Sequence, residues 1–289
     1  MTIRRILFPV DFSEGARAVA PFVLSLAQRH KASVALMNVF QPLPPLSTGL
    51  ITVYPETFDF AETREILVKN LNEFAAAQLP GVEATCAADM GDPASSIIRF
   101  AEGNGIDLIC MPTHGHGVFR RALLGSVTAK VLHDAGIPVW MSAHAPEASD
   151  RAHPQPRHIL VALDPATPES ARATLDASVA IAGETNATLD IVTAASEGTI
   201  APGMADADVE DLLIEATREA LAKLQFEAGT GAGTIIEIGN PAKIVRAAAL
   251  AKRSDLVVSG RNHTHGILGR LRDNSYAIIR EAPCPVLSV

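Results

Sequence analysis

Apolar residues fall in short unbroken runs, separated by longer stretches with helical spacing. Runs at 6–10, 34–39, 84–88, 107–111 and 139–142 predict five strands, and runs at 159–163, 189–193, 235–238, 256–259 and 286–289 predict five more. Runs apolar on both faces suit parallel strands covered by helices on each side. Alternation of strand and helix, joined by right-handed crossovers, implies an open doubly wound α/β sheet. Asp92-Pro93 and Asn240-Pro241 each set an N-cap acceptor before a proline at the first helical position. Behind them Ile97, Ile98, Ala101 and Ile244, Val245, Ala248 share one helical face. Val209, Leu212, Leu213, Ala216 and Ala220 predict an amphipathic helix across the acidic stretch 205–219. Pro21, inside the pattern 16–30, predicts a kink or a late helix start. The proline-rich stretch 41–55 predicts a loop over the carboxyl edge of the sheet.

The pattern occurs twice. Ile6-Leu-Phe-Pro-Val-Asp11 aligns with Ile159-Leu-Val-Ala-Leu-Asp164, and Gly91-Asp-Pro-Ala94 with Gly239-Asn-Pro-Ala242. Asp107-Leu-Ile-Cys-Met111 aligns with Asp255-Leu-Val-Val-Ser259, and Ile137-Pro-Val-Trp-Met-Ser142 with Cys284-Pro-Val-Leu-Ser288. Landmarks in one order at a nearly constant offset are the signature of an internal repeat. Residues 1–143 form the first domain and 157–289 the second. Between them 144–156, rich in Pro, Ala, Asp and His, reads as a linker.

At 289 residues the chain can bury two cores without disulfides or metals. A net charge of −8 with no basic block argues against a nucleic-acid partner. Cys86, Cys110 and Cys284 have the spacing of neither a metal knuckle nor a redox pair and read as small buried thiols in a reducing compartment. The apolar run before Asp11 is too short for a signal peptide, and no segment reaches the roughly 20 apolar residues of a membrane span. A cytoplasmic location without membrane contact is the expectation.

In a doubly wound sheet, ligands gather beyond the carboxyl ends of the strands. There the first repeat carries Met111-Pro-Thr-His-Gly-His-Gly117, and further on Gly125-Ser126 opens the helical stretch 127–134. Glycines and a helix start offer N–H groups and a positive dipole end to an anion, with Arg120 and Arg121 nearby. The same glycines can equally make a plain tight connection. Asp11 and Asp164 suit a ligand contact, a base or a cap of the following turn. His114-Gly-His116 and His263-Thr-His265 suit a metal or polar loops, and no acidic or thiol third ligand lies near them in sequence. No nucleophile-elbow pattern is present.

These residues resemble the nucleotide-binding members of the universal stress protein family, which carry Gly-x2-Gly-x9-Gly-Ser/Thr after the fourth strand. The chain has Pro112-Thr-His-Gly115, nine residues, then Gly125-Ser126. The resemblance runs from ILFPVDFSEGA through both repeats. It implies two Rossmann-like doubly wound domains, each with a five-stranded parallel sheet flanked by helices. It also implies a stress-response regulatory module that binds ATP, with Mg2+ as its companion ion, or a related adenine nucleotide. Asp11 and Val39 would hold ribose and adenine, with Met111 leading into the loop. Gly115, Gly125, Ser126 and the Val127 amide would hold the phosphates. Hydrolysis would be slow at most. Pairing through last strands, 139–142 against 286–289, would make the fused repeats a pseudo-dimer, and homodimers and protein partners are further expectations of the family.

Two departures matter. Pro112 removes an N–H where the motif has glycine. The second repeat reads Gly260-Arg-Asn-His263 and then Asp273-Asn274-Ser275, so a carboxylate stands near the helix start and would repel a triphosphate. The alternative is a nucleotide-independent stress protein that acts through protein contacts. An adenylyl-transferring enzyme is a third class, but its Gly- or His-rich signature after strand one is replaced by Asp11-Phe-Ser-Glu-Gly15.

Overall fold

The computed structural model describes residues 2–41, 46–47, 52–53, 60–114, 124–142, 154–195, 207–261 and 274–289. They pack into two compact units, one from Thr2 to His114 with Gly125 to Ile137, the other from Pro138 to Val289.

In the first unit the chain runs β1 (Arg5–Pro9), α1 (Glu14–His30), β2 (Ser33–Phe40), β3 (Leu46–Ser47), β4 (Thr52–Val53), α2 (Phe60–Gln78), β5 (Ala84–Met90), α3 (Pro93–Gly103), β6 (Leu108–Met111) and α4 (Ser126–Asp134). The order β6-β1-β2-β5 is parallel throughout, so every strand ends at the same edge. Ile6, Leu7, Phe8, Leu36, Leu108 and Ile109 are essentially without solvent exposure, as strands covered on both faces require. Each such side chain contributes about 1.5–3 kcal/mol of transfer free energy. The stretch expected to be a plain loop over the edge contains the short antiparallel pair β3 and β4.

The second unit runs β7 (Val139–Met141), β8 (His158–Ala162), α5 (Pro168–Thr185), β9 (Thr188–Ala195), α6 (Ala207–Ala228), β10 (Gly233–Ile238), α7 (Pro241–Lys252), β11 (Leu256–Ser259), α8 (Asn274–Glu281) and β12 (Val286–Ser288). The order β10-β9-β8-β11-β12 is the expected five-stranded parallel sheet. β7 adds a sixth, antiparallel strand, with Met141 opposite Val286 and Val139 opposite Ser288. The last strand of the first repeat therefore pairs with the last strand of the second, inside one compact unit.

The helix signals hold. Asp92 Oδ1 accepts from the Ser95 N–H at 2.9 Å, and Asn240 Oδ1 from the Lys243 N–H at 3.1 Å. One correction concerns the late start offered at Pro21: α1 starts at Glu14, with Ser13 Oγ accepting from the Ala16 N–H at 3.1 Å, and runs across Pro21. Pro21 faces solvent, where the carbonyl that lost its amide partner can bind water. A second correction concerns α6, whose covered positions include Thr217, Leu221 and Leu224 while Leu212 is 71% exposed. The interior side of that helix lies beside the apolar stripe read from the sequence. Cys110 and Cys284 are buried and Cys86 is half-buried. No helix among the described residues is long and apolar enough to cross a membrane.

Candidate functional site

The first-unit chain steps from β1 outward to β2 and β5 and then crosses back to β6, on the other side of β1. The crevice beyond the carboxyl ends of β1 and β6 is where such a sheet leaves room for a ligand. Asp11 stands just past β1, Val39 near the end of β2, Met111 at the end of β6, and Gly125, Ser126 and Val127 at the start of α4. All six belong to this one unit. Gly115, Arg120, Arg121 and both His-x-His second members fall outside the described residues, as do most of the linker and the loop after β11.

Asp11 is engaged locally. Its Oδ1 accepts from the Ser13 N–H at 3.0 Å and the Ser13 hydroxyl at 2.6 Å, and Ser13 in turn caps α1. Between them Phe12 takes a left-handed φ of 63°, which costs a non-glycine residue about 1–2 kcal/mol. Its ring packs edge-on against Phe74 of α2, with centroids 6.2 Å apart. The turn is thus held by packing, and Asp11 on it is half-exposed. Asn38 ties the neighbouring strand to it, donating from Nδ2 to the Val10 carbonyl at 2.7 Å.

Around α4 the chain is closely packed. The Gly125 N–H donates to the Thr113 carbonyl at 2.9 Å, and a Cβ at 125 would lie 3.3 Å from that oxygen. Gly125 serves the turn by allowing this approach at an ordinary φ of −58°. Its N–H is taken, so the amides left at the helix start are those of Ser126 and the residues after it, which have no partner within the helix. Ser126 is exposed, Val127 is half-buried and Met111 is buried. Thr128 Oγ1 donates to the Pro112 carbonyl at 3.0 Å and ties α4 to the end of β6.

Pro112 has a packing partner. A Cβ at Gly15 would come within 3.2 Å of Pro112 Cβ and 2.7 Å of the His114 carbonyl. The second repeat inverts this pair. Gly260 stands where Pro112 does, and a Cβ there would run into Ser170 Oγ and lie 2.6 Å from Thr174 Oγ1 on α5. Small helix residue with large loop residue becomes hydroxylated helix residue with glycine.

The second unit also resolves the register after β11. Ser275 Oγ donates to the Gly260 carbonyl at 3.0 Å, the bond that Thr128 makes to Pro112. Ser275 is therefore the counterpart of Thr128, Asn274 of Val127 and Asp273 of Ser126. In this unit a cavity of about 110 Å³ opens at the carboxyl edge, lined among others by Asp164, Thr167, Ser170, Thr174, Ser259 and Gly260. Asp164 Oδ1 accepts from the Ala166 N–H at 2.9 Å, again a local turn. No group of three or more His, Cys, Asp or Glu side chains suited to a metal is gathered among the described residues.

The universal stress protein family profile matches residues 2–142 and again 156–289. The chain belongs to the universal stress protein family. A universal stress protein of Thermus aquaticus is 30% identical over 139 residues, 48% of this chain and 97% of that one. Universal stress protein MJ0577 of Methanocaldococcus jannaschii is 27% identical over 149 residues, 47% of this chain and 92% of that one. Slr1230 of Synechocystis is 28% identical over 138 residues, and the match spans only 42% of its length. Among solved structures, a universal stress protein of Archaeoglobus fulgidus aligns over 100% of this chain and 98% of its own, with a TM-score of 0.66 and 22% identity. That likeness bears on the fold of the whole tandem chain. With two family matches in series, the internal repeat is a duplication of one universal stress protein unit.

Proposed function

We propose that this tandem universal stress protein is a regulatory module whose first repeat binds ATP or a related adenine nucleotide. The observation that carries the reading is the alignment of Asp11, Val39, Met111 and the start of α4 along one carboxyl edge, where the strand order turns back. The residues suit the ligand. Gly125 brings no side chain of its own to the helix start, and Ser126 and Val127 offer amides, a hydroxyl and the positive dipole end to phosphate oxygens. Val39, half-buried beside Asp11's strand, supplies an apolar surface for a base. Mg2+ accompanying ATP would keep oxygen ligands from the phosphates and water. The second repeat, with Asp273 in place of Ser126, would not accept a triphosphate in the same way.

The test is direct. Protein purified gently and then denatured should release an adenine nucleotide detectable by mass spectrometry, and calorimetry should show ATP binding to the emptied chain. Ser126→Asp, which copies the second repeat, should abolish both. Unchanged binding in that variant would mean the pocket lies elsewhere. A second reading is a nucleotide-independent interaction protein, favoured by the Gly125 N–H and Asp11 Oδ1 being already engaged within the fold. No carried-over nucleotide and no heat at millimolar ATP would favour it.

A further inference from the structure

Lys130 lies one turn beyond Ser126 on α4. Residues four apart share a helix face, and helical side chains lean toward the N-terminus, so the Lys130 stem runs back over the turn that begins at Ser126. Its ammonium is bonded to another helix. Lys130 Nζ donates to Asp92 Oδ1 at 2.8 Å and to Ser95 Oγ at 3.1 Å. The same Asp92 oxygen caps α3, accepting from the Ser95 N–H at 2.9 Å and the Ser95 hydroxyl at 2.6 Å. Both charged side chains are about half exposed, at 46% and 51%. The other carboxylate acting on Lys130 is Asp134, one turn further along α4, which is bonded to His133.

The second repeat shows that this charge is not needed for capping. Asn240 occupies the Asp92 position with the same backbone, φ −72° and ψ 117° against −72° and 118°, and caps α7 unaided. By the register that Ser275 and Thr128 establish, Lys130 corresponds to Ala277. Carboxylate and ammonium are therefore present together in the repeat that has Ser126 and absent together from the repeat that has Asp273. A carboxylate kept only to cap would have no reason to travel with the lysine.

Resting on the nucleotide reading above, we propose that Lys130 is a further phosphate-binding residue of the first repeat and that Asp92 is its resting counter-ion. A bound phosphate draws the ammonium off Asp92, so that occupancy of the pocket is passed to the N-terminus of α3. The magnitudes allow the exchange. An exposed ion pair biases the lysine by about two- to fivefold, whereas a charge-assisted bond to a phosphate oxygen favours it by about tenfold or more.

The experiment titrates the full chain calorimetrically with ATP and, as a probe without phosphate, with adenosine. Lys130→Ala should weaken ATP about tenfold and leave adenosine unchanged. Asp92→Asn, which keeps the cap as Asn240 does, should tighten ATP about two- to fivefold. In the Lys130→Ala background, Asp92→Asn should then have no effect. Wild-type affinity in Lys130→Ala, or an equal gain from Asp92→Asn in both backgrounds, would overturn the exchange while leaving the pocket in place. Silence toward ATP in the wild-type chain and in every variant would remove the nucleotide reading, and the exchange with it.

Discussion

At the residue scale, the contact between loop and first helix decides what each repeat can carry after its fourth strand. Pro112 looked in the sequence like a damaged phosphate loop. In the fold it is one half of a size-matched pair with Gly15, and the second repeat solves the same contact with Gly260 against Ser170 and Thr174. A motif read along the chain cannot register this, because the partner sits about a hundred residues away in the first repeat and ninety in the second. Gly125 is a similar case: its place in the motif was legible, but not the engagement of its N–H by Thr113. Gly260→Ala should destabilise the second unit by about 1–3 kcal/mol, the usual cost of overpacking. Combined with Ser170→Gly it should recover part of that loss, a coupling measurable by a double-mutant cycle in urea. Additive losses would mean that the two residues do not compete for the same space. Gly15→Ala should cost a similar amount, about 1–3 kcal/mol, because its Cβ meets the His114 backbone oxygen, which cannot rotate away.

At the element scale, the strands of the parallel sheets announced themselves as apolar runs and the proline-marked helix starts at Asp92 and Asn240 are real caps, because burial on both faces and capping are local demands. What stayed hidden is how the elements are fastened at the opposite, amino edge of the sheet. Asp107 Oδ2 accepts from the Arg4 and Arg5 amides, and Asp255 Oδ2 from the Arg157 and His158 amides, each clipping the first strand of its repeat to the fourth. The second unit adds a polar cluster: His158 bonds Asp190 at 2.8 Å through Nε2 and Ser254 at 3.0 Å through Nδ1, and Lys252 reaches Asp190 at 3.0 Å. The corresponding first-repeat positions hold Arg5, Ala35, Ile106 and Asn104, so the cluster belongs to one repeat only. Burial pushes the Asp190 carboxyl up, but the bonds from His158 and Lys252 outweigh it, and it sits below the ordinary carboxylate range. A lowered carboxylate stabilises the fold above its unfolded value, and that contribution disappears as pH falls through the folded one. Asp190→Asn should therefore cost the second unit about 1–2 kcal/mol at pH 7. The gap to wild type in urea midpoints should close below about pH 4. A gap independent of pH would assign the loss to shape instead of charge.

At the scale of the whole molecule, one strand belongs to one repeat in sequence and to the other in packing. β7 is encoded by the first repeat, yet it lies in the compact unit of the second, antiparallel to β12. The strand was legible as an apolar run, and its pairing with the final strand was an expectation of the family resemblance. Which unit it would follow was not readable, since an apolar run marks a buried strand and not its neighbours. The chain supplies its own reporter, because its single tryptophan, Trp140, is in β7, 5% exposed and opposite Leu287 of β12. Trp140 emission should move to the red when β7 leaves β12. In urea, that transition should shift to lower concentration in Gly260→Ala, which weakens the second unit, and stay in place in Gly15→Ala, which weakens the first. Circular dichroism, which sees both units, should respond to both variants. If Trp140 instead tracked Gly15→Ala, β7 would unfold with the repeat that encodes it, and the β7–β12 seam would open as the first unit is lost. Equal shifts in both variants would make the tandem chain a single cooperative body, in which the boundary at Pro138 has no thermodynamic meaning.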